Sequence, residues 1–264
     1  MRRMSAASSD YGWTAGWHGW PIGAYCLTLL RGLTPLEVLD RLNVKNRTRI
    51  AGAGAIIEPS IDAWGTHGGA ELFVAVTETD GWSVMVEQNG FIGVTDHIMT
   101  AVSKGTKTVS HFRNINALDR FLWLEDGKLV LEFEPLFPAR RSGTRANDDD
   151  ILTELTAAGF DLRTGEERTF LHHTEAAFAF AERMTGVRVT PEFLDEATFV
   201  AGLAPLPPPP VRPVSTPIGL RKLPAPSVPP PAPSEPPPAA SRGEAQRVVQ
   251  ASFLEVGDEE EDLS

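Results

Sequence analysis

Three arginines, Arg140, Arg141 and Arg145, fall on one short segment that also holds Gly143. Guanidinium groups gathered on a loop can clamp a carboxylate or a phosphate through paired, charge-assisted hydrogen bonds. This segment is therefore the candidate anion site. The competing expectation is a solvated loop whose arginines pair with Asp148 to Asp150 just downstream. Glu132 and Glu134 alternate onto one face of an extended strand, a placement open to acid–base work where a carboxyl is buried. Solvated strand faces account for them, and for Glu87, more simply.

Other residues of reactive type have spacings that argue against chemistry. His172 and His173 are neighbours, so on a helix they point about 100° apart and do not share a metal. Asn147-Asp148-Asp149-Asp150 lacks the alternating oxygen pattern of a calcium loop and precedes an apolar run, where acidic residues favour a helix N-terminus. Gly52-Ala53-Gly54-Ala55 has no following Lys-Ser or Lys-Thr, so it reads as a loop and not a phosphate cradle. Cys26 sits among Tyr25, Leu27 and Leu29, the setting of a small buried hydrophobe. Trp13, Trp17 and Trp20 recur with glycines, as a stacking platform would, but packing is the expected role of such large side chains. No metal and no cofactor is expected.

The elements that must position these residues are legible in part. The stretch Leu72 to Gly93, LFVAVTETDGWSVMVEQNGFIG, predicts a β-hairpin around Asp80-Gly81. A three-residue loop would align Leu72, Val74 and Val76 with Trp82, Val84 and Val86 on one apolar face, and it is preferred to the two-residue type I′ alternative. Ala24 to Leu30 predicts a helix ending near Gly32. Thr34-Pro35-Leu36-Glu37 is a capping box opening a second helix through Leu42. Lys45 to Gly69 reads as loop. Thr95 or Asp96 caps a short helix through Val102. Strands are predicted over Thr106–Arg113, Leu118–Glu125 and Lys128–Glu134, with Asp126-Gly127 as a second hairpin turn. Helices follow over Asp148–Ala158 and His172–Thr185, with a short one opened by Thr190-Pro191-Glu192. Strands grouped between helices predict an α+β fold, an antiparallel sheet of about five strands covered by helices.

Several of these blocks also occur together elsewhere. YCLTLLRGLTPLEVLDRL, VAVTETDGW, NGF, FRN, FEPLFPARR-x-G and AERMTGVRVTPEFL, in that order, resemble a family of actinobacterial proteins of unknown function. The resemblance covers about residues 13 to 200. It implies a single domain ending near Leu203 and brings no activity, substrate or catalytic residue with it.

Sixteen of the 22 prolines lie between Pro205 and Pro238, so residues 204–241 are expected to be an extended linker. Residues 1–10 are expected to be disordered, 11–203 to form the domain, and 242–264 to be an acidic tail. Within that tail Val248, Val249, Phe253 and Leu254 form an apolar patch able to dock on a partner. The net charge is −11, which disfavours nucleic acid and anionic membranes as partners. One cysteine, no spanning apolar run and no leader-like apolar stretch at the N-terminus predict a cytoplasmic chain. Together these features favour a non-enzymatic interaction module with a docking tail and a protein partner. The alternative is an enzyme or small-anion binder built on the Arg140–Arg145 loop and the sheet-face carboxylates.

Overall fold

The computed structural model describes residues 5–15, 24–116, 118–165 and 167–208. Tyr25–Arg31, expected as helix, is strand β1. The run is apolar on both sides because β1 is an inner strand between β4 (Trp82–Gln88) and β5 (Lys107–Arg113), with both faces covered. A strand buried on two faces loses the alternation that would distinguish it from a buried helix. The next helix, α1 (Pro35–Arg41), forms as the sequence dictates. Thr34 Oγ1 accepts from Glu37 N at 3.3 Å and Glu37 Oε2 accepts from Thr34 N at 2.8 Å.

Lys45–Gly69 is not a loop. It forms strand β2 (Lys45–Ala51), a 3₁₀ turn at Ala53–Ile56 and helix α2 (Ile57–His67). Gly52-Ala53-Gly54-Ala55 thus leads into a helix, with Ala53 and Ile56 wholly buried. Strands β3 (Glu71–Thr79) and β4 form the expected hairpin, but in the other register. Thr79 pairs with Trp82, and Asp80 and Gly81 both have positive φ, 50° and 77°, as a two-residue type I′ loop requires. The preferred three-residue register assumed one apolar face. Both faces are apolar here: Phe73, Ala75, Trp82 and Val84 enter one core layer, Leu72, Val74, Val76 and Met85 the other. Turn chemistry, not face matching, sets the register.

Helix α3 (Asp96–Val102) and strands β5, β6 (Asp119–Glu125) and β7 (Lys128–Phe133) follow as expected. So do helices α4 (Asp149–Ala158), α5 (His173–Thr185) and α6 (Pro191–Glu196). Two further strands complete the sheet, β8 (Arg141–Ser142) and β9 (Thr198–Pro205). The sheet has nine strands and not five, in the order β2-β9-β3-β4-β1-β5-β6-β7-β8, every neighbour antiparallel.

Each face carries its own helical layer. Leu27, Leu29, Val109, Phe121 and Phe133 pack with Ile151 and Leu155 of α4 and Phe178 and Phe180 of α5. The N-terminal 3₁₀ segment joins this layer: Tyr11 stacks on Phe178 and Trp13 meets the same ring edge-to-face, so Trp13 is a packing residue. Trp17 and Trp20 lie outside the described residues. On the opposite face, Cys26, Leu30, Met85, Leu122 and Leu124 pack with Val38 and Leu39 of α1 and Met99 and Val102 of α3.

Candidate functional site

The second helical layer ends before the sheet does. Past the 3₁₀ turn Ile92–Val94, a cleft of about 690 Å³ opens over β5 to β8. Strand register sets Glu132 beside Ser142 in its floor and Phe112 beside Arg120 in the next row. Phe91 and Val94 supply a wall. Arg120 organises the floor. Its Nε donates to Glu132 Oε1 at 2.8 Å, one terminal nitrogen donates to Asp96 Oδ1 at 2.7 Å, and the other donates to the Val94 carbonyl. Burial works against its charge, but the bonds and charges of Asp96 and Glu132 outweigh burial and hold the guanidinium above its ordinary value.

The three loop arginines do not converge. Arg145 turns to the start of α4, donating through Nε to Asp148 Oδ2 at 2.8 Å and also to Asp150, as the solvated-loop expectation had it. Arg141 staples its own loop, donating to the carbonyls of Ala146 and Pro138. Of the three, Arg140 alone is exposed at the cleft, and its side chain has no hydrogen bond or ion pair among the described residues. The two carboxylates differ as well. Glu132 is tied to Arg120 and Ser142, whereas the Glu134 carboxylate has no hydrogen-bond partner among the described residues. Burial, then the nearby Asp119 charge, raises the Glu134 carboxyl, while His173 opposes the rise.

Behind the cleft lies an ionic cluster that sequence spacing does not reveal, because its members are far apart in the chain. Asp119, at the start of β6, has a fully buried carboxylate. His173 Nε2 lies 3.0 Å from Asp119 Oδ2, and Arg113 Nε lies 3.8 Å from Oδ1. His173 Nδ1 is 3.0 Å from the Phe170 carbonyl, and Arg113 also donates to Thr174 Oγ1. Burial opposes a charge on His173, but Asp119 and the Phe170 carbonyl prevail and raise the imidazole above its ordinary value. His172, by contrast, faces solvent, so the adjacent histidines diverge. His111 shares a 3.0 Å hydrogen bond with the Tyr25 hydroxyl, and burial pushes it down to about 4.

These groups make an ion-paired lock, not a nucleophile beside a base. Cys26 does face a carboxylate, Glu87, across β1 and β4. Both are wholly buried, so substrate does not reach them, and burial pushes the thiol well up. Glu87 is thus no solvated strand residue. Among the described residues no group of three His, Cys, Asp or Glu side chains is placed to hold a metal ion. No helix among them is long and apolar enough to cross a membrane. Val248, Val249, Phe253 and Leu254 lie outside the described residues.

Fold and site together define an α+β protein with a nine-stranded antiparallel sheet, helices on both faces, and an open cleft at one end. The chain belongs to the family of unknown function DUF6461, whose model matches residues 4–209. No curated protein and no solved structure matches it.

Proposed function

We propose that this is a protein-interaction module whose docking face is the end of the sheet bearing the cleft. One observation carries the reading. Of the six exposed large apolar side chains among the described residues, four belong to two loops at this end: Ile115 (82 % exposed), Leu118 (55 %), Phe170 (46 %) and Leu171 (73 %). Apolar exposure gathered in one place marks a contact surface, whereas single exposed side chains need no explanation. His173 ties the two loops together, reaching Phe170 on one and Asp119 beside Leu118 on the other. Leu118 also lines the cleft. The patch on the tail, Val248, Val249, Phe253 and Leu254, supplies a second contact on the same partner. The divergence of Arg140, Arg141 and Arg145 weighs against an anion clamp. A small-ligand reading keeps one support: Glu134 and Arg140, both unpaired among the described residues, line a largely apolar cleft, which suits a ligand carrying an ammonium and a carboxylate.

In-cell photo-crosslinking distinguishes the two. A photoreactive residue at position 118 should give an adduct with one discrete polypeptide, and the same residue at exposed Ile61 on α2 should not. Replacing Val248, Val249, Phe253 and Leu254 together by serine should weaken that adduct. No adduct at position 118, together with binding of a zwitterionic small molecule that Glu134→Gln abolishes, would favour the second reading.

A further inference from the structure

The cleft wall rests on a buried acid. Residues 89–94 cross over the end of β4, carrying Phe91 and Val94 to the cleft, and Glu87 lies beneath them with no exposed surface. Its carboxylate accepts from Ile92 N at 2.8 Å and from Gly93 N at 2.9 Å. The fit leaves no slack. A Cβ on Gly93 would lie 2.0 Å from Thr28 Oγ1 and 2.8 Å from Cys26 Sγ, and one on Gly90 would lie 2.6 Å from Glu87 itself. Outer contacts tie the same segment down: Trp64 Nε1 donates to Asn89 O at 3.1 Å, and Arg120 donates to Val94 O.

Among the described residues no cation meets this carboxylate. β1 presents the Cys26 thiol and Thr28, β3 presents Leu72, Val74 and Val76, and the covering helices add Val38, Leu39, Met99 and Val102. Glu37, Asp40 and Arg41 of α1 face solvent, as does Asp96 of α3, and His97 bonds the Pro207 carbonyl. Arg120 is spent on Val94, Asp96 and Glu132. Two backbone N–H groups and the Cys26 thiol are left to carry a buried charge, and three neutral donors do not replace the hydration of a carboxylate.

We propose that Glu87 makes the Phe91–Val94 wall a pH-gated element, held shut while the acid is protonated and opening more readily as the pH rises. The sign follows from solvation. Opening the segment lets water reach Glu87, so ionisation favours the open form, even though the two N–H bonds and the Cys26 thiol favour the charged form within the closed one. Burial dominates these opposing effects and raises the closed-state carboxyl from 4.5 to about 7. The gate therefore works between those values and saturates above them.

Amide hydrogen exchange on the full chain tests this without knowledge of any partner. After correction for intrinsic exchange, protection of the Ile92 and Gly93 amides should fall more than tenfold between pH 4.5 and 7. The limit is about three hundredfold, the width of that titration. Val109, in the sheet interior, should show no such slope, and Glu87→Gln should flatten the profile at Ile92 and Gly93. Protection that does not vary with pH in the wild-type chain, or an equal slope in Glu87→Gln, would overturn the proposal. Should that variant fail to fold, the carbon-detected titration of the Glu87 carboxyl in the wild-type chain decides the matter: a midpoint near 4.5 refutes the gate.

Discussion

Arg120 shows what a single side chain does here. One guanidinium holds three acceptors from three places, Val94 on the cleft wall, Asp96 at the start of α3 and Glu132 on β7. Removing it leaves Glu132 half-buried without its cation and frees the wall from the floor. Arg120→Leu is expected to lower stability by about 1–3 kcal/mol, the range for losing a partly buried charge-assisted network. Arg120→Lys should recover only part, because an ammonium lacks the planar fork that reaches three acceptors at once. Urea unfolding of the three proteins measures both effects. A loss in Arg120→Leu within the noise of a surface substitution would show that the contacts carry no stability. Arg145 is the contrasting case. It lies close to Arg140 and Arg141 in sequence, yet its guanidinium serves Asp148 and Asp150 on the exposed start of α4. Proximity along a loop places Cα atoms together but leaves each long side chain free to seek its own acceptor.

Elements defined by local chemistry were legible, and those defined by burial were not. The capping box of α1, the Asp126-Gly127 turn and the helices α4 to α6 each announce themselves through a cap, a turn pair or an amphipathic stripe. β1 hid as a helix because Cys26, Leu27, Leu29 and Leu30 fill both layers. β2 hid as a loop for the opposite reason: as an edge strand rich in Lys45, Arg47 and Arg49 it has almost no buried face. β9 is hidden in the sequence by the prolines that follow it, although Gly202 marks it. A Cβ there would lie 2.4 Å from the Lys45 carbonyl and 2.8 Å from Val44 Cγ1, so the glycine lets β2 close onto β9. Gly202→Ala should therefore cost about 1–3 kcal/mol, since the first obstacle is backbone and not a movable side-chain tip. Exchange should quicken across β2 well before β1 in this variant. Thermal melts together with residue-level exchange check it, and an unchanged melting temperature would mean that β2 shifts freely. The candidate site was less legible than the fold. Glu132 on β7 and Glu134 just past its end both line the cleft, but Asp119, Arg113 and His173 come together only through tertiary packing.

At the scale of the whole molecule, two buried groups titrate across the same range in opposite senses. Glu87 is raised from 4.5 to about 7, so the folded chain holds a proton that the unfolded chain has released. Its contribution is complete below 4.5 and is lost as pH rises through 7. His111 is pushed from 6.5 down to about 4, so the unfolded chain binds the proton first. Its contribution is complete above 6.5 and is lost as pH falls through 4. Each spans about 3 kcal/mol at this width of shift. They sit in different layers, Glu87 beneath the cleft wall and His111 against Phe178 of α5, so their effects should add. Between pH 4.5 and 6.5 the two slopes nearly cancel, and the wild-type chain is protected from both. Single variants should uncover them. The stability of the wild-type chain relative to Glu87→Gln should fall as pH rises from 4.5 to 7. Relative to His111→Gln it should rise from 4 to 6.5. Urea unfolding at half-unit steps of pH gives both differences directly, and because each is taken against the wild-type chain, the surface carboxylates drop out. Two differences sloping the same way would mean that burial does not govern one of these groups, and the gate on the cleft wall would fall with Glu87 if that group were the one.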